Sequence, residues 1–154
     1  MWEKNDIREI LISENEIQER AKQLGEQITK DYSSKKPLLV GLLRGSVPFL
    51  ADLMKNIDLD IQFDTMDVSS YEGTESVGEI RILKDLDTPI KGLDIILVED
   101  IVDTGRTLQT VKNTLLHRGA ASVTICTLLN KSARRTVDIQ ADYIGFEVAD
   151  EFVV

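Results

Sequence analysis

The densest chemistry in this chain lies between Leu97 and Leu108, which read L-V-E-D-I-V-D-T-G-R-T-L. The apolar run Asp94 to Val98 has the character of a strand buried on both faces, and it delivers Glu99 and Asp100 at its carboxyl end. Asp103 follows, and Thr104-Gly105-Arg106-Thr107 then leads into a helix predicted from Thr107 to His117, with Leu108, Val111 and Leu115 inward. A glycine lets backbone N–H groups come close to an anion, and a helix N-terminus adds partial positive charge. The hydroxyls of Thr104 and Thr107 can donate to the same phosphate. Glu99 and Asp100 would repel a phosphate but suit a ribose diol or a magnesium ion, which takes hard oxygen ligands. Asp103 stands between the two sites, within reach of whatever is attached to the sugar. A plainer alternative is that acids gather at the mouth of any sheet and that Thr-Gly-Arg-Thr merely caps a helix. The whole string favours phosphate chemistry, because strand, acid pair, third acid, phosphate loop and helix stand in working order. It is neither a P-loop, which needs G-x-x-x-x-G-K-[ST], nor a dinucleotide fingerprint, which needs G-x-G-x-x-G.

Such residues must be held by rigid elements, and the rest of the sequence supplies them. Ser13 and Glu16 form a capping-box pattern, behind which Ile17, Ala21, Leu24 and Ile28 fall on one helical face. Pro37 to Leu43 is a short apolar run typical of a doubly buried strand; Arg44-Gly45-Ser46 breaks it, and Val47 to Lys55 reads as a helix with Pro48 tolerated in its first turn. Asp60 to Val68 roughly alternates polar and apolar residues, as a half-exposed strand does. Ser69 to Gly78 is polar and glycine-bearing and is predicted to be a mobile loop, with Glu79 to Leu83 as the returning strand. Ser122 to Leu129 and Asp142 to Phe146 complete the strands. Strands alternating with helices in the central region predict an α/β fold, a mostly parallel sheet with helices on both faces. Ligands in such sheets sit at the carboxyl ends of the strands.

Composition narrows the class further. The 154 residues carry 18 basic and 27 acidic side chains, a formal net charge of -9, with 42% hydrophobic and 29% charged residues. That length suits one globular domain, residues 1–154, with a core large enough to need no staples. No apolar stretch approaches a membrane span, and the N-terminal MWEKNDIREILI carries acids where a signal peptide would be basic and then apolar. One cysteine, Cys126, and one histidine, His117, leave neither an internal disulfide nor a His/Cys zinc cluster. The expectation is a cytoplasmic protein that binds no membrane and no nucleic acid, since a nucleic-acid binder needs a basic face. An anionic small molecule is compatible with the charge, because such sites depend on local backbone donors and metal ions.

Residues Val98 to Leu108 closely resemble the phosphoribosyl-pyrophosphate signature of the type I phosphoribosyltransferases, and the chain from about Leu38 to Val154 resembles their purine-salvage branch, which acts on hypoxanthine and guanine. The resemblance implies that fold, with a small hood formed by the chain termini, and a glycosyltransferase joining a purine to phosphoribosyl pyrophosphate. It assigns Glu99 and Asp100 to the ribose hydroxyls, directly or through Mg2+, and Asp103 to the imidazole edge of the purine, where it shares the ring proton. Thr104, Gly105, Arg106 and Thr107 would wrap the ribose phosphate. Leu43, Arg44 and Gly45 match the pyrophosphate loop, whose Leu43–Arg44 peptide the family makes cis. Ser70 and Tyr71 match a serine–tyrosine pair on the loop that closes over the transition state. Lys131 matches the donor to the purine's exocyclic oxygen, Phe152 the aromatic that stacks on the base, and Val153 its backbone contact. Judged alone, Lys131 and Tyr71 would be a solvated charge and a loop residue, and Phe152 a core residue. Glu147, Asp150 and Glu151 are expected to be surface charges.

The resemblance also implies a homodimer or homotetramer. Members of the family continue beyond the motif ending at Val154, so the domain is expected to lack their C-terminal segment, whose aspartate and arginine serve magnesium, purine and pyrophosphate. Two rivals use the same residues. A phosphoribosyltransferase-like regulator would sense phosphoribosyl pyrophosphate through Glu99–Thr107 while binding RNA, against which the -9 charge and the presence of Lys131 with Phe152 speak. A receiver-type signalling domain would place its acid pair after the first strand, whereas Glu99 and Asp100 come late.

Overall fold

The computed structural model describes residues 12–70 and 79–149. The capping box forms: Ser13 Oγ accepts from the Glu16 N–H at 3.2 Å, and Glu16 Oε1 accepts from the Ser13 N–H at 3.1 Å. It starts α1 (Glu14–Asp31), which buries Ala21, Leu24, Gly25 and Ile28, while Ile17 is half-buried. The chain then runs through β1 (Leu38–Leu42), α2 (Val47–Lys55), β2 (Gln62–Ser70), β3 (Ile80–Lys84), β4 (Asp94–Val102), α3 (Arg106–His117), β5 (Ser122–Asn130) and β6 (Tyr143–Glu147). The strands make one sheet in the order β3-β2-β1-β4-β5-β6. All neighbours are parallel except β2 and β3.

The apolar runs predicted to be buried on both faces are so for a visible reason. Alternate residues of a strand point to opposite faces. Leu39, Ile96, Val98 and Cys126 therefore pack under α1 and α2, with Leu24, Ile28, Phe49, Leu50 and Leu53. Leu38, Val40, Ile95, Leu97 and Ile125 pack on the other face against Leu108, Val111 and Leu115 of α3. At about 1.5–3 kcal/mol for each fully buried aliphatic side chain, Ile95 to Val98 anchors firmly the loop that leaves β4. No helix among the described residues is long and apolar enough to cross a membrane.

Two predicted boundaries are corrected. Ser69 and Ser70 continue β2 instead of opening a loop, because β3 pairs with them: Ser69 opposite Arg81 and Ser70 opposite Ile80. Residues 71–78 lie outside the described residues, as do 1–11 and 150–154, on which the expected hood in part depends. The second correction concerns β4, which does not end before the acid pair. It runs on to Val102, since β5 stays in register through Val102 opposite Asn130. Glu99 and Asp100 are therefore strand residues, and their side chains stay within reach of one another.

Strand order reverses between β1 and β4, which pair directly with Gly41 opposite Val98. The loops leaving those two strands, Leu43–Ser46 and Asp103–Gly105, thus flank the switch point where open parallel sheets bind ligands.

Candidate active site

The loop after β1 is folded tightly against its own strand. The Leu43 N–H donates to the Met66 carbonyl at 2.8 Å, and buried Ser46 Oγ donates to the Leu42 carbonyl at 2.6 Å. The Leu43–Arg44 peptide is cis, in line with the resemblance. Leu43 is half-buried, while Arg44 and Gly45 are exposed. Pro48 lies in the first turn of α2, as its position predicts.

Asp100 leans across the switch point onto this loop: a Cβ on Gly45 would meet Asp100 Oδ2 at 2.6 Å and Oδ1 at 3.2 Å. The two sequence-predicted sites are therefore in contact. Gly45→Ala is expected to rotate the Asp100 carboxylate, which is free to yield, so melting should change little. Affinity for a phosphate-bearing ligand at this loop should fall by about tenfold, the scale of one misplaced polar contact. Equilibrium titration with a sugar diphosphate checks this, and unchanged affinity would separate Asp100 from that ligand.

At β4 the other acid is poised differently. Burial, together with the neighbouring Asp100 charge, pushes the Glu99 carboxyl up to about 8. Its Oε1 accepts from the Asp100 N–H at 3.2 Å, and Asp100 Oδ1 from the Ile101 N–H at 2.9 Å. Among the described residues no group of three His, Cys, Asp or Glu side chains is arranged to hold a metal. The pair offers oxygen ligands alone.

The phosphate loop departs from a simple helix cap. The N-cap of α3 is Gly105 at φ +83°, which has no side chain to cap the helix. A left-handed residue is required there, and a Cβ would strike Ile139 Cγ2 at 2.5 Å, which leaves glycine as the residue that fits. The helix begins at Arg106, one residue before the predicted start. Thr104 Oγ1 accepts from the Arg106 N–H at 3.4 Å, and Thr104 and Thr107 are half-buried. Arg106 itself turns aside: its Nε donates to Thr136 Oγ1 at 2.8 Å. That bond uses one nitrogen of the guanidinium and anchors the side chain beside the start of α3.

Lys131, half-buried, comes to the same end of the sheet because its N–H donates to the Val102 carbonyl at 2.9 Å. That bond ties the end of β5 to the chain just before Asp103. Sequence reasoning missed the network around it. Arg135 Nη1 donates to the Asp103 carbonyl at 2.6 Å, Nε to the Ile139 carbonyl at 3.1 Å, and Nη2 to Oδ1 of buried Asn130. Arg134 Nε lies 3.1 Å from Asp103 Oδ1. Glu147 is a surface charge, as expected, but one with partners. It accepts from the Ser132 N–H at 2.9 Å, Ser132 Oγ at 2.6 Å and Asn130 Nδ2 at 2.8 Å. Those bonds, the Ser132 hydroxyl first, hold its carboxyl below the usual range. The adjacent arginines after β5 were the signal available in the sequence.

Ser70 sits at the same end of the sheet, on a strand that runs on past the Met66–Leu42 pair. Tyr71, Phe152 and Val153, with Asp150 and Glu151, lie outside the described residues.

Residues 6–154 match the family model described as a phosphoribosyl transferase domain, and the chain belongs to that family. It is 53% identical over 150 residues to a hypoxanthine-guanine phosphoribosyltransferase of Streptococcus pyogenes, covering 97% of this chain and 83% of that protein. The enzyme of the same name from Lactococcus lactis is 54% identical over 158 residues, covering 100% and 86%. A crystal structure of a hypoxanthine phosphoribosyltransferase from Staphylococcus aureus superposes with a TM-score of 0.92 at 48% identity, over 96% of this chain and 81% of that one. Within the family, then, the chain falls among the hypoxanthine-guanine phosphoribosyltransferases. These relatives lend the regulatory alternative no support.

Proposed function

We propose that this chain transfers the phosphoribosyl group of phosphoribosyl pyrophosphate to hypoxanthine or guanine in purine salvage, giving IMP or GMP and pyrophosphate. The observation that carries the reading is the meeting of two glycine loops at the switch point, with Asp100 lying against Gly45 and Gly105 opening α3.

The bond from the ribose carbon to pyrophosphate breaks ahead of bond formation to the purine, so positive charge develops on the sugar. Asp100 and Glu99 face that sugar, while Arg44 and the Leu43–Gly45 backbone receive the departing pyrophosphate. Thr104 to Thr107 hold the ribose phosphate through backbone N–H groups, the Thr104 and Thr107 hydroxyls, and the start of α3. As the purine becomes cationic its ring proton turns acidic, and the Asp103 carboxylate accepts or shares it. Lys131 donates to the exocyclic oxygen. Ser70 and Tyr71 belong to the lid, and Phe152 with Val153 to the purine face.

Glu99 and Asp100 fit Mg2+, which is held by one or two carboxylates plus substrate oxygens. A buried acid whose ionisation its neighbour opposes is stabilised by a divalent cation. When bound, the ion supplies neutralisation of the anionic leaving group. The reading includes a cytoplasmic homodimer or homotetramer, with residues 1–154 belonging to a single domain.

Incubation with magnesium, phosphoribosyl pyrophosphate and each purine base in turn, following nucleotide formation, tests the proposal. IMP and GMP are expected and AMP is not, because an amino group would set a donor against the Lys131 ammonium. AMP formed as fast as IMP would remove Lys131 from its role, and no nucleotide from any base would remove the reading itself.

A further inference from the structure

Asp103 is held at two levels. Its backbone is fixed by Arg135 Nη1 on its carbonyl at 2.6 Å and by the neighbouring Lys131–Val102 bond. Its carboxylate is a separate matter, since an Asp side chain turns freely unless something grips it. Among the described residues the grip comes from Arg134, whose Nε donates to Oδ1 at 3.1 Å. Oδ2 has no such hydrogen bond among the described residues. A guanidinium holding one oxygen restricts the rotation of the carboxylate and leaves the other oxygen presented.

We infer that Arg134 is a positioning residue: it orients the Asp103 carboxylate so that Oδ2 faces the purine ring proton. The inference rests on the proposed role of Asp103. Stability is a poor explanation for the pair. Both side chains are about half exposed, at 48% and 47%, and such ion pairs contribute little to folding. Nor does the segment need Arg134 to keep its shape. Ser132 is fastened to Glu147, and Arg135 bonds to Asp103, Asn130 and Ile139. Arg134 itself lies at the end of a 3-10 turn, Ser132–Arg134, where its N–H donates to the Lys131 carbonyl at 3.0 Å. One turn thereby carries both the donor proposed for the purine oxygen and the group that aims the base.

The test is a double-mutant cycle in the full chain, with Arg134→Gln, Asp103→Asn and both together. Arg134→Gln should lower kcat about fivefold, the scale of one exposed charged contact. Its KM for phosphoribosyl pyrophosphate and its melting temperature should stay at wild-type values. Arg134→Lys should recover part of the loss, since an ammonium can hold the same oxygen with less directional restraint. In the Asp103→Asn background, Arg134→Gln should cost nothing further. An equal fivefold loss in that background would overturn the inference while leaving Asp103 in place. A lower melting temperature with unchanged kcat would overturn it in favour of a purely structural role. Wild-type turnover in Asp103→Asn alone would remove the proposed role of Asp103 and the inference with it.

Discussion

Asp103→Asn is expected to bind phosphoribosyl pyrophosphate with wild-type affinity and to form IMP tens of fold more slowly or worse. The substitution keeps the size of the side chain and an oxygen that Arg134 can hold, so the geometry should survive. What it loses is the capacity to accept a proton. General acid–base groups contribute on the order of 10²–10⁴-fold. The lower part of that range applies here, because the carboxylate works late, when the purine is already cationic, and other groups share the stabilisation of the sugar. Binding is expected to hold because the groups proposed for phosphate and ribose lie elsewhere, at Gly105 and α3 and at Glu99 and Asp100. Equilibrium binding and single-turnover kinetics separate the two quantities. Unchanged turnover would exclude Asp103 from the chemistry, whereas lost binding would reassign it to the substrate pocket.

The sheet was legible because its central strands are dense aliphatic runs that fit nothing but a doubly covered layer. The phosphate loop was legible because a glycine between two hydroxyls, ahead of an amphipathic helix, is constrained by local chemistry. Other features were set by long-range partners and were hidden. The extent of β4 depends on β5 staying in register to Asn130, which no local pattern around Glu99 announces. Ser69 and Ser70 have loop composition, yet Arg81 and Ile80 of β3 supply their backbone partners. Nothing local to Arg106 announces that Thr136, distant in the chain, anchors its guanidinium. Glu147 reads as a surface charge, with no local sign that Ser132 and Asn130 converge on it. Local spacing thus marked the groups proposed to touch substrate, while the partners that hold them in place came from segments brought together by folding.

Glu99→Gln is expected to make the metal-free chain more stable near pH 8 while weakening its grip on phosphoribosyl pyrophosphate. The Glu99 carboxyl rises from an ordinary value of 4.5 to about 8, chiefly through burial and then through the Asp100 charge. Below 4.5 the folded and unfolded chains are both protonated at this site, and it contributes no pH dependence. Between 4.5 and about 8 the folded chain retains a proton that the unfolded chain has released, so stability falls as pH rises. Above 8 the loss is complete, and it is on the order of 1–3 kcal/mol for a partly buried group that can relax. Glutamine carries no charge and escapes that loss. For a chain of this length the gain corresponds to roughly 2–10 °C in melting temperature at pH 8, shrinking toward zero at pH 4.5. Thermal melts of both proteins across that range check it, and parallel curves would show that Glu99 ionises without penalty. Magnesium should raise the melting temperature of the wild type more than that of Glu99→Gln, because the cation relieves the repulsion that the substitution has already removed. On the proposed reading the penalty belongs to binding: a diol or a cation at the switch point would offset the cost of placing two carboxylates side by side.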